Sequence, residues 1–333
     1  MRQPGRGKIA INIIALAAEY RPQECEQVPG SPSERDAVID AIVARAADHR
    51  VVIINESHIL TRHRETTRRL LGKLRPLGFR VLAAETFNQG YGSTAPVEAL
   101  PPVAWPQMID GHYSGEPSFG RLVREAKALG YRLAPYEEIY DPAVPPAADL
   151  VENVVRRETA QARHLAEIVR RMGPDERLII HAGYRHGSEV PFDFEGRDLE
   201  FMGARFKALT GIDPLTVTQT SCRSAGGATF LAKAPASLRP GQFDMVVSHP
   251  VETFESWRPK WRREAGDVPT AIPASLRPTN EPLVIEAFAW NEPFEAVPVD
   301  RIYVEPDEDL PLLLPPGRYR VRAVRLSAPD AGP

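Results

Sequence analysis

The sequence predicts an α/β protein, with a mainly parallel sheet covered by helices and a β-rich C-terminal appendage. Up to about residue 250, apolar β-branched runs such as residues 51–54 alternate with amphipathic helical segments. This alternation is typical of parallel sheets with helices on their faces. From residue 251 onward, strand-like runs follow one another without helices between them. The 333 residues suffice for one large domain with an appendage.

Helical spacing of Val38, Ile39, Ile42 and Val43 predicts a helix that begins near Ser33. The other predicted helices cover residues 61–75, 118–130, 150–172 and 202–209. The predicted core strands are residues 51–54, 80–85, 131–136, 177–183, 215–220 and 243–250. The long segment 88–117 has little periodicity, which favours a lid or binding loop.

These elements divide the chain into three parts: an N-terminal tail over residues 1–30, an α/β core over 31–250, and a β-rich extension over 251–333. Within the extension, the strand-like runs are residues 283–290, 300–306 and 318–327.

The N-terminus permits two interpretations. The basic MRQPGRGK, the apolar IAINIIALAA and the tripeptide Ala15-Leu16-Ala17 resemble an export signal, which implies a periplasmic or secreted protein. A plain N-terminal segment of a cytoplasmic protein is the alternative. Cys25 and Cys222 could pair only in an oxidising compartment and otherwise remain two thiols. No stretch is long enough for a transmembrane helix.

Composition and motifs exclude several classes of protein. The formal net charge of −3 gives no support for a nucleic-acid surface, so a small-molecule substrate or ligand is the expected partner. The two cysteines form no CxxC pair, which excludes zinc-ribbon and thioredoxin-like sites. A serine nucleophile elbow, a P-loop and a dinucleotide fingerprint are also missing from the sequence.

Polar side chains recur where the predicted strands end, and ligands bind beyond the carboxyl ends of strands in open parallel sheets. The catalytic candidates at these ends are Glu56, His58, Glu85 and His186. Further candidates for contact with a substrate or ligand are His63, Tyr136, Glu137, His181, Tyr184 and His249. Glu56 and His58 are two residues apart and face one side of an extended chain, while His63 begins the next helix.

These residue types allow more than one chemistry. A carboxylate beside an imidazole can fix its tautomer and make it a general base for water. The same four candidates, Glu56, His58, Glu85 and His186, could instead hold a divalent metal with an open water position. Histidine and tyrosine side chains could also bind haem iron. The cofactor therefore stays open at this point, with a metal, haem or neither as the alternatives.

Four segments in order resemble a known superfamily. NESHILTRHR resembles the G-E-x-H-x4-H motif of the ChaN-like haem-binding uptake (Tiki) proteins, and VLAAETF, HAGYRHG and MGARF resemble the stretches that follow it. The erythromycin esterase-like proteins are similar in the same order, including an Arg-acidic pair on a long helix, here Arg157 and Glu158. The resemblance covers about residues 50–220. This chain has Asn55 where the motif has glycine, and its Glu-to-His spacing is that of the ChaN-like branch.

The resemblance implies that Glu56, His58, Glu85 and His186 line one site, with a histidine acting as general base in the esterase-like branch. Three functional hypotheses follow. The first is a hydrolase of an ester or amide that uses a His/Glu-activated water, with or without a metal. The second is a non-enzymatic haem- or metal-binding protein, and the third is an inactive binding module.

Overall fold

The centre of the protein is a large, mainly parallel sheet, seen in a computed structural model that describes residues 23–90, 95–139 and 147–325. Among the described residues, the strand pairs of this sheet are parallel except for one antiparallel pair at its edge. In spatial order the strands are β4 (Arg132–Pro135), β3 (Phe79–Ala84), β5 (Arg177–Gly183), β2 (Val51–Glu56), β8 (Leu215–Ser224), β10 (Met245–Pro250) and β9 (Phe230–Ala232), with β1 (Gln23–Glu24) beside β8. The predicted α/β class with a mainly parallel sheet is confirmed.

Helices pack on both faces of this sheet. Helices α1 (Arg35–Ala46), α2 (Arg62–Leu74) and α3 (Pro117–Ala128) contribute to one apolar core, and α4 (Leu150–Arg171) and α5 (Met202–Thr210) to the other. The central strand β2 serves both cores, because Val52 and Ile54 face the first and Val51 and Ile53 face the second. Burial of both faces explains why this strand reads as an unbroken apolar run.

The predicted elements correspond to observed ones with ends shifted by a few residues, whereas several short strands were not predicted. The hairpin of β6 (Phe192–Phe194) and β7 (Arg197–Leu199), like β9, has strands of three residues. Strands this short contain too few alternations to produce a periodic signal.

The segment 88–117, predicted to be a lid or binding loop, is attached to the rest of the protein at more than one point. Backbone bridges connect Phe87 with Gly111 and Gln107 with Ala296, so the described part of residues 88–117 contacts both the core and the C-terminal extension. Two short 3-10 turns, Val97–Ala99 and Met108–Asp110, lie within it. Residues 91–94 lie outside the described residues.

The C-terminal extension consists mainly of small antiparallel sheets. Its elements are β11 (Phe254–Glu255), β12 (Arg258–Pro259), α6 (Lys260–Glu264), β13 (Val268–Thr270), β14 (Leu283–Ala289), β15 (Asp300–Val304), β16 (Leu312–Leu314) and β17 (Tyr319–Arg325). Two ion pairs connect helix α3 to this extension: Arg121 with Asp267 at 2.6 Å and Arg124 with Glu292 at 2.6 Å.

Cys25 and Cys222 form a disulfide with a Cα–Cα distance of 5.6 Å, which resolves the alternative that the sequence left open. The bond attaches the segment after β1 to strand β8. The N-terminal segment that permits either an export signal or a plain N-terminal segment lies outside the described residues. Within the described ranges, no helix combines the length and apolar content needed to cross a membrane.

Candidate functional site

The site lies where the carboxyl ends of three neighbouring strands meet. Glu56 ends β2, Glu85 directly follows β3, and Gly183 ends β5. The backbone N–H of Tyr184 donates to the Glu56 carbonyl oxygen at 2.7 Å, so the turn after β5 is held against the end of β2. The parallel topology therefore places side chains from distant parts of the sequence at one edge.

Glu56 is fully buried, accepts hydrogen bonds from Arg64 and His58, and has the His181 imidazole close to its carboxylate. Arg64 Nε lies 2.6 Å from its Oε2, His58 Nδ1 2.9 Å from its Oε1, and His181 Nε2 3.1 Å from its Oε2. Burial raises the pKa of this carboxyl, but Arg64 and His181 lower it more, and the net pKa is well below the usual range. Glu56 is consequently an ionised hydrogen-bond acceptor at neutral pH.

The charge on Glu56 fixes the tautomer of His58. A carboxylate only accepts hydrogen bonds, so His58 Nδ1 donates to it and Nε2 of the neutral ring is left as an acceptor. The rings of Tyr113 and Tyr184 flank the imidazole, each with a centroid distance of 5.1 Å. About a third of the His58 side chain remains exposed to solvent, so the oriented ring is accessible.

Gly183 provides the space in which this ring lies. A Cβ at position 183 would stand 2.6 Å from His58 Nε2 and 2.8 Å from Glu85 Oε2, distances too short for any side chain. The Gly183 N–H donates to Glu85 Oε2 at 2.6 Å. His58 Nε2 and the Glu85 carboxylate thus approach the same glycine from two sides.

Glu85 belongs to a second charged cluster, built on the long helix α4. Arg157 Nη2 lies 2.5 Å from Glu85 Oε1 and also pairs with Glu137, which follows β4. His186 Nδ1 lies 2.7 Å from Glu158 Oε1. Burial raises the pKa of Glu85, but His186 and Arg157 lower it by more. The net pKa is therefore below the ordinary value.

His186 carries the opposite shift. Burial lowers its pKa, but the carboxylates of Glu158 and Glu85 raise it more, and the net pKa is above the ordinary value. Its Nε2 lies 3.8 Å from Glu85 Oε1 and 3.4 Å from Arg157 Nη1. His186 is therefore the candidate proton donor of the site, and His58 is the candidate proton acceptor.

Three of the remaining predicted contact residues, Tyr136, His181 and His63, lie beneath the site and support it. The Tyr136 hydroxyl donates to the His181 carbonyl oxygen at 3.3 Å, and His181 Nδ1 lies 3.0 Å from Thr67 Oγ1. His63 Nδ1 accepts from the Ser57 N–H at 2.9 Å, and burial lowers the pKa of His63 to about 3. All of these predicted residues are buried and orient the loop and strand ends around Glu56.

His249 lies apart from this group. Its Nε2 is 2.8 Å from Gln219 Oε1, and its ring lies 5.2 Å from the ring of His63, behind the start of helix α2. Burial lowers its pKa well below the ordinary value, so the ring is neutral. The predicted role of His249 in contact with a ligand at the His58 site finds no support in this placement.

Asn55 performs a structural task beside the site. The β2–β8 ladder ends at the pair Ile54–Val217. Beyond it, Asn55 Oδ1 accepts from the Gln219 N–H at 2.7 Å, and its Nδ2 donates to Thr218 Oγ1 at 2.9 Å and to the Tyr184 carbonyl. Where the two strands separate, the side-chain amide of Asn55 makes hydrogen bonds in place of those of the backbone ladder. It also holds the turn that carries Tyr184.

Sequence reasoning missed the residues that complete the two clusters. Arg64 pairs with Glu56 and, through Nη1 at 2.7 Å, with Glu116. Gly183 and Tyr113 contact His58 directly. The only available signal for Arg64 was its position next to His63 at the helix start. Imidazoles, carboxylates and phenols were the residue types considered for the site, so Arg64 was not selected.

The donor set does not fit a metal. Among residues 23–90, 95–139 and 147–325, no group of three or more His, Cys, Asp or Glu side chains is arranged to hold a metal ion. Glu56 and Glu85 are each occupied by an arginine, and His58 and His186 each point one ring nitrogen at a carboxylate. The alternative in which these four residues hold a metal ion is therefore not supported, because the guanidinium groups of Arg64 and Arg157 occupy the positions beside the carboxylates.

The fold and this geometry define an α/β protein with two carboxylate–imidazole–arginine clusters at the carboxyl edge of its sheet. No family profile and no curated protein matches the sequence. Solved structures that the chain matches include a bacterial type III effector and bacterial toxin domains. The type III effector HopBA1 is 13% identical with a TM-score of 0.42, covering 68% of this chain and 97% of the effector.

A structure described as bacterial protein toxins is 12% identical, with a TM-score of 0.40, covering 66% of this chain and 41% of the other. RRSP, a MARTX toxin effector domain from Vibrio vulnificus, is 13% identical with a TM-score of 0.35, covering 55% of this chain and 36% of the other. The chain spans less than half the length of these two toxin chains. Similarity at this level carries no information on activity.

Proposed function

We propose that this chain is a hydrolase that cleaves a carboxylic ester or amide with a water molecule activated by His58. The observation that carries the proposal is the Glu56–His58 pair. Its Nδ1–Oε1 distance of 2.9 Å and the ionised state of Glu56 leave Nε2 as a proton acceptor on a partly exposed ring. The order of motifs that resembles the erythromycin esterase-like proteins supports the same assignment.

In the proposed reaction, His58 Nε2 accepts a proton from water as the water oxygen forms a bond to the substrate carbonyl carbon. The carbonyl electron pair moves to oxygen and gives a tetrahedral oxyanion. Glu56 stabilises the imidazolium form of His58 through the Nδ1–H bond. When the intermediate collapses, the bond to the leaving alcohol or amine breaks and the leaving group takes a proton. The products are a carboxylic acid and the alcohol or amine.

Tyr113 and the second cluster supply the electrostatic part of the mechanism. Tyr113 keeps its phenolic proton, since burial and the charges of Glu85 and Glu56 raise its pKa, and it packs against His58 as the donor to the oxyanion. His186, whose pKa is raised, provides the proton for the leaving group. Glu85 accepts hydrogen bonds from Arg157 and from the Gly183 N–H, and it thereby connects the second cluster to the glycine against which His58 packs.

The test is a panel of 4-nitrophenyl esters and anilides assayed with the wild-type chain, His58→Ala and, as a matched control, the exposed His112→Ala. We expect His58→Ala to lower kcat/KM by about 10²–10⁴-fold on any substrate that wild type turns over, with unchanged circular dichroism. The control should keep wild-type activity. Full activity in His58→Ala would overturn the proposal. A shifted Soret band with haemin that His58→Ala abolishes, without any turnover, would replace it with haem binding.

A further inference from the structure

A cavity of about 720 Å³ opens beside the candidate site, and its wall is aromatic. Phe192 and Phe194 come from the β6–β7 hairpin, and Phe201 directly precedes helix α5. The rings of Phe192 and Phe201 stack with a centroid distance of 4.3 Å. Val154 and Leu238 extend the apolar wall. The volume falls within the range of cavities that hold small organic ligands, which is about 300–1,000 Å³.

The mouth of this cavity is shared with the candidate site and contains cationic groups together with the carboxylate of Glu158, which pairs with His186. Arg157, Tyr184 and His186 contribute to both. The charge of Arg157 is already balanced by Glu85 and Glu137. Among the described residues that line the cavity, Arg185 is the arginine with no carboxylate partner.

Arg185 differs from most arginines of this protein in its partners. Its guanidinium lies 5.0 Å from the centroid of the Phe192 ring and, within the part of the chain that the structure describes, pairs with no carboxylate. The side chain belongs to an exposed residue. A guanidinium over an aromatic ring, without a counter-ion, offers its N–H fork to an anion.

We propose that this cavity binds a flat aromatic group that bears an anionic substituent. The aromatic part packs against the rings of Phe192 and Phe201, where stacked and edge-to-face contacts favour a ring over a branched aliphatic chain. The carboxylate, sulfonate or similar anion pairs with Arg185 at the mouth. The inference that the cavity binds such a group does not depend on the proposed hydrolase function. The further role of the cavity as a subsite for the acyl part of a substrate does depend on it.

Two fluorescent probes test the binding: anionic 8-anilinonaphthalene-1-sulfonate and neutral N-phenyl-1-naphthylamine. We expect Arg185→Gln to weaken the anionic probe by about tenfold and to leave the neutral probe unchanged. Val154→Trp, which fills the cavity, should weaken both by about tenfold or more. The matched controls are Arg318→Gln, which also removes a guanidinium lying over an exposed ring, and Val268→Trp on the exposed β13. Both should bind the probes like wild type.

Equal effects of Arg185→Gln on the two probes, or unchanged binding in Val154→Trp, would overturn the inference. His58→Ala should retain both probes, because His58 does not line the cavity. Failure of the hydrolase proposal is thus visible as missing turnover with intact probe binding.

For the subsite role, mono-4-nitrophenyl terephthalate is compared with 4-nitrophenyl benzoate. Arg185→Gln should lower kcat/KM for the first by about tenfold and spare the second; equal loss on both would contradict it.

Discussion

His58 lies against the backbone of Gly183 so closely that a Cβ at position 183 would stand 2.6 Å from its Nε2 atom. The same Cβ would stand 2.8 Å from Glu85 Oε2, which accepts the Gly183 N–H. The two charged clusters therefore meet across a residue that has no side chain. The geometry of the proposed general base depends on this glycine as much as on Glu56.

Gly183→Ala is expected to displace the His58 ring and the Glu85 carboxylate, because neither lies at the end of a long flexible chain. The free energy of unfolding should fall by about 1–3 kcal/mol, and turnover should fall with it. The control is Gly72→Ala on helix α2, where a Cβ meets nothing within 4 Å. That variant should gain about 0.5–1 kcal/mol. Urea denaturation measures both, and a Gly183→Ala protein as stable and active as wild type would refute the packing argument.

Glu56→Gln removes the charge that Arg64 and His181 surround. Arg64 would then keep only the partly exposed Glu116 as a counter-ion, and loss of its buried partner should lower the free energy of unfolding by about 3–5 kcal/mol. Glu116→Gln is the matched control, since Glu116 pairs with the same arginine but is about one third exposed. Its cost should be about 1 kcal/mol, mostly from its cap on helix α3. Equal costs in the two variants would show that burial of Glu56 does not determine the energy.

His63 makes stability depend on pH. Its pKa is about 3 in the folded state, against an ordinary value of 6.5. Between these pH values, His63 is protonated in the unfolded chain and neutral in the folded chain. The contribution is present above pH 6.5 and is lost as the pH falls from 6.5 toward 3. In His63→Gln, the dependence of unfolding free energy on pH should be shallower by about 1.4 kcal/mol per pH unit below pH 6.

The measurement for His63 is urea denaturation at several pH values between 5 and 7, a range that lies above the titration of ordinary carboxyl groups. His112→Gln, at an exposed position, should keep the wild-type slope. A His63→Gln slope equal to that of wild type would contradict a neutral buried His63.

His186 shows the opposite dependence through Glu158. Its folded pKa is raised, so its contribution to stability is present below pH 6.5 and is lost as the pH rises through the folded pKa. Glu158→Gln should lower the pKa of His186 and reduce this loss. The pKa is read from the His186 ring resonances by NMR, with exposed Glu152→Gln on the same helix as control. A His186 pKa unchanged in Glu158→Gln would exclude the pairing.

The strand ends that carry Glu56, His58 and Glu85 could be predicted from sequence because buried parallel strands are apolar runs followed by their first polar residues. His186 was predicted by position and by resemblance. Arg64 and Gly183 could not be predicted in the same way. An arginine in a helix is ordinarily a surface residue, and a glycine at a strand end has many uses. Only the contact partners decide between these roles.

The sequence by itself determined the alternation of strands and helices, the change to β structure after residue 250, and the set of polar residues at one edge of the sheet. These properties are local, since apolar periodicity and turn residues act over a few positions. Tertiary structure alone decided that Arg64 and Arg157 neutralise the carboxylates and that Cys25 pairs with Cys222. It also placed Arg185 over Phe192 at the mouth of a cavity. These are contacts between distant residues, and their energies depend on burial and on geometries that no local pattern encodes.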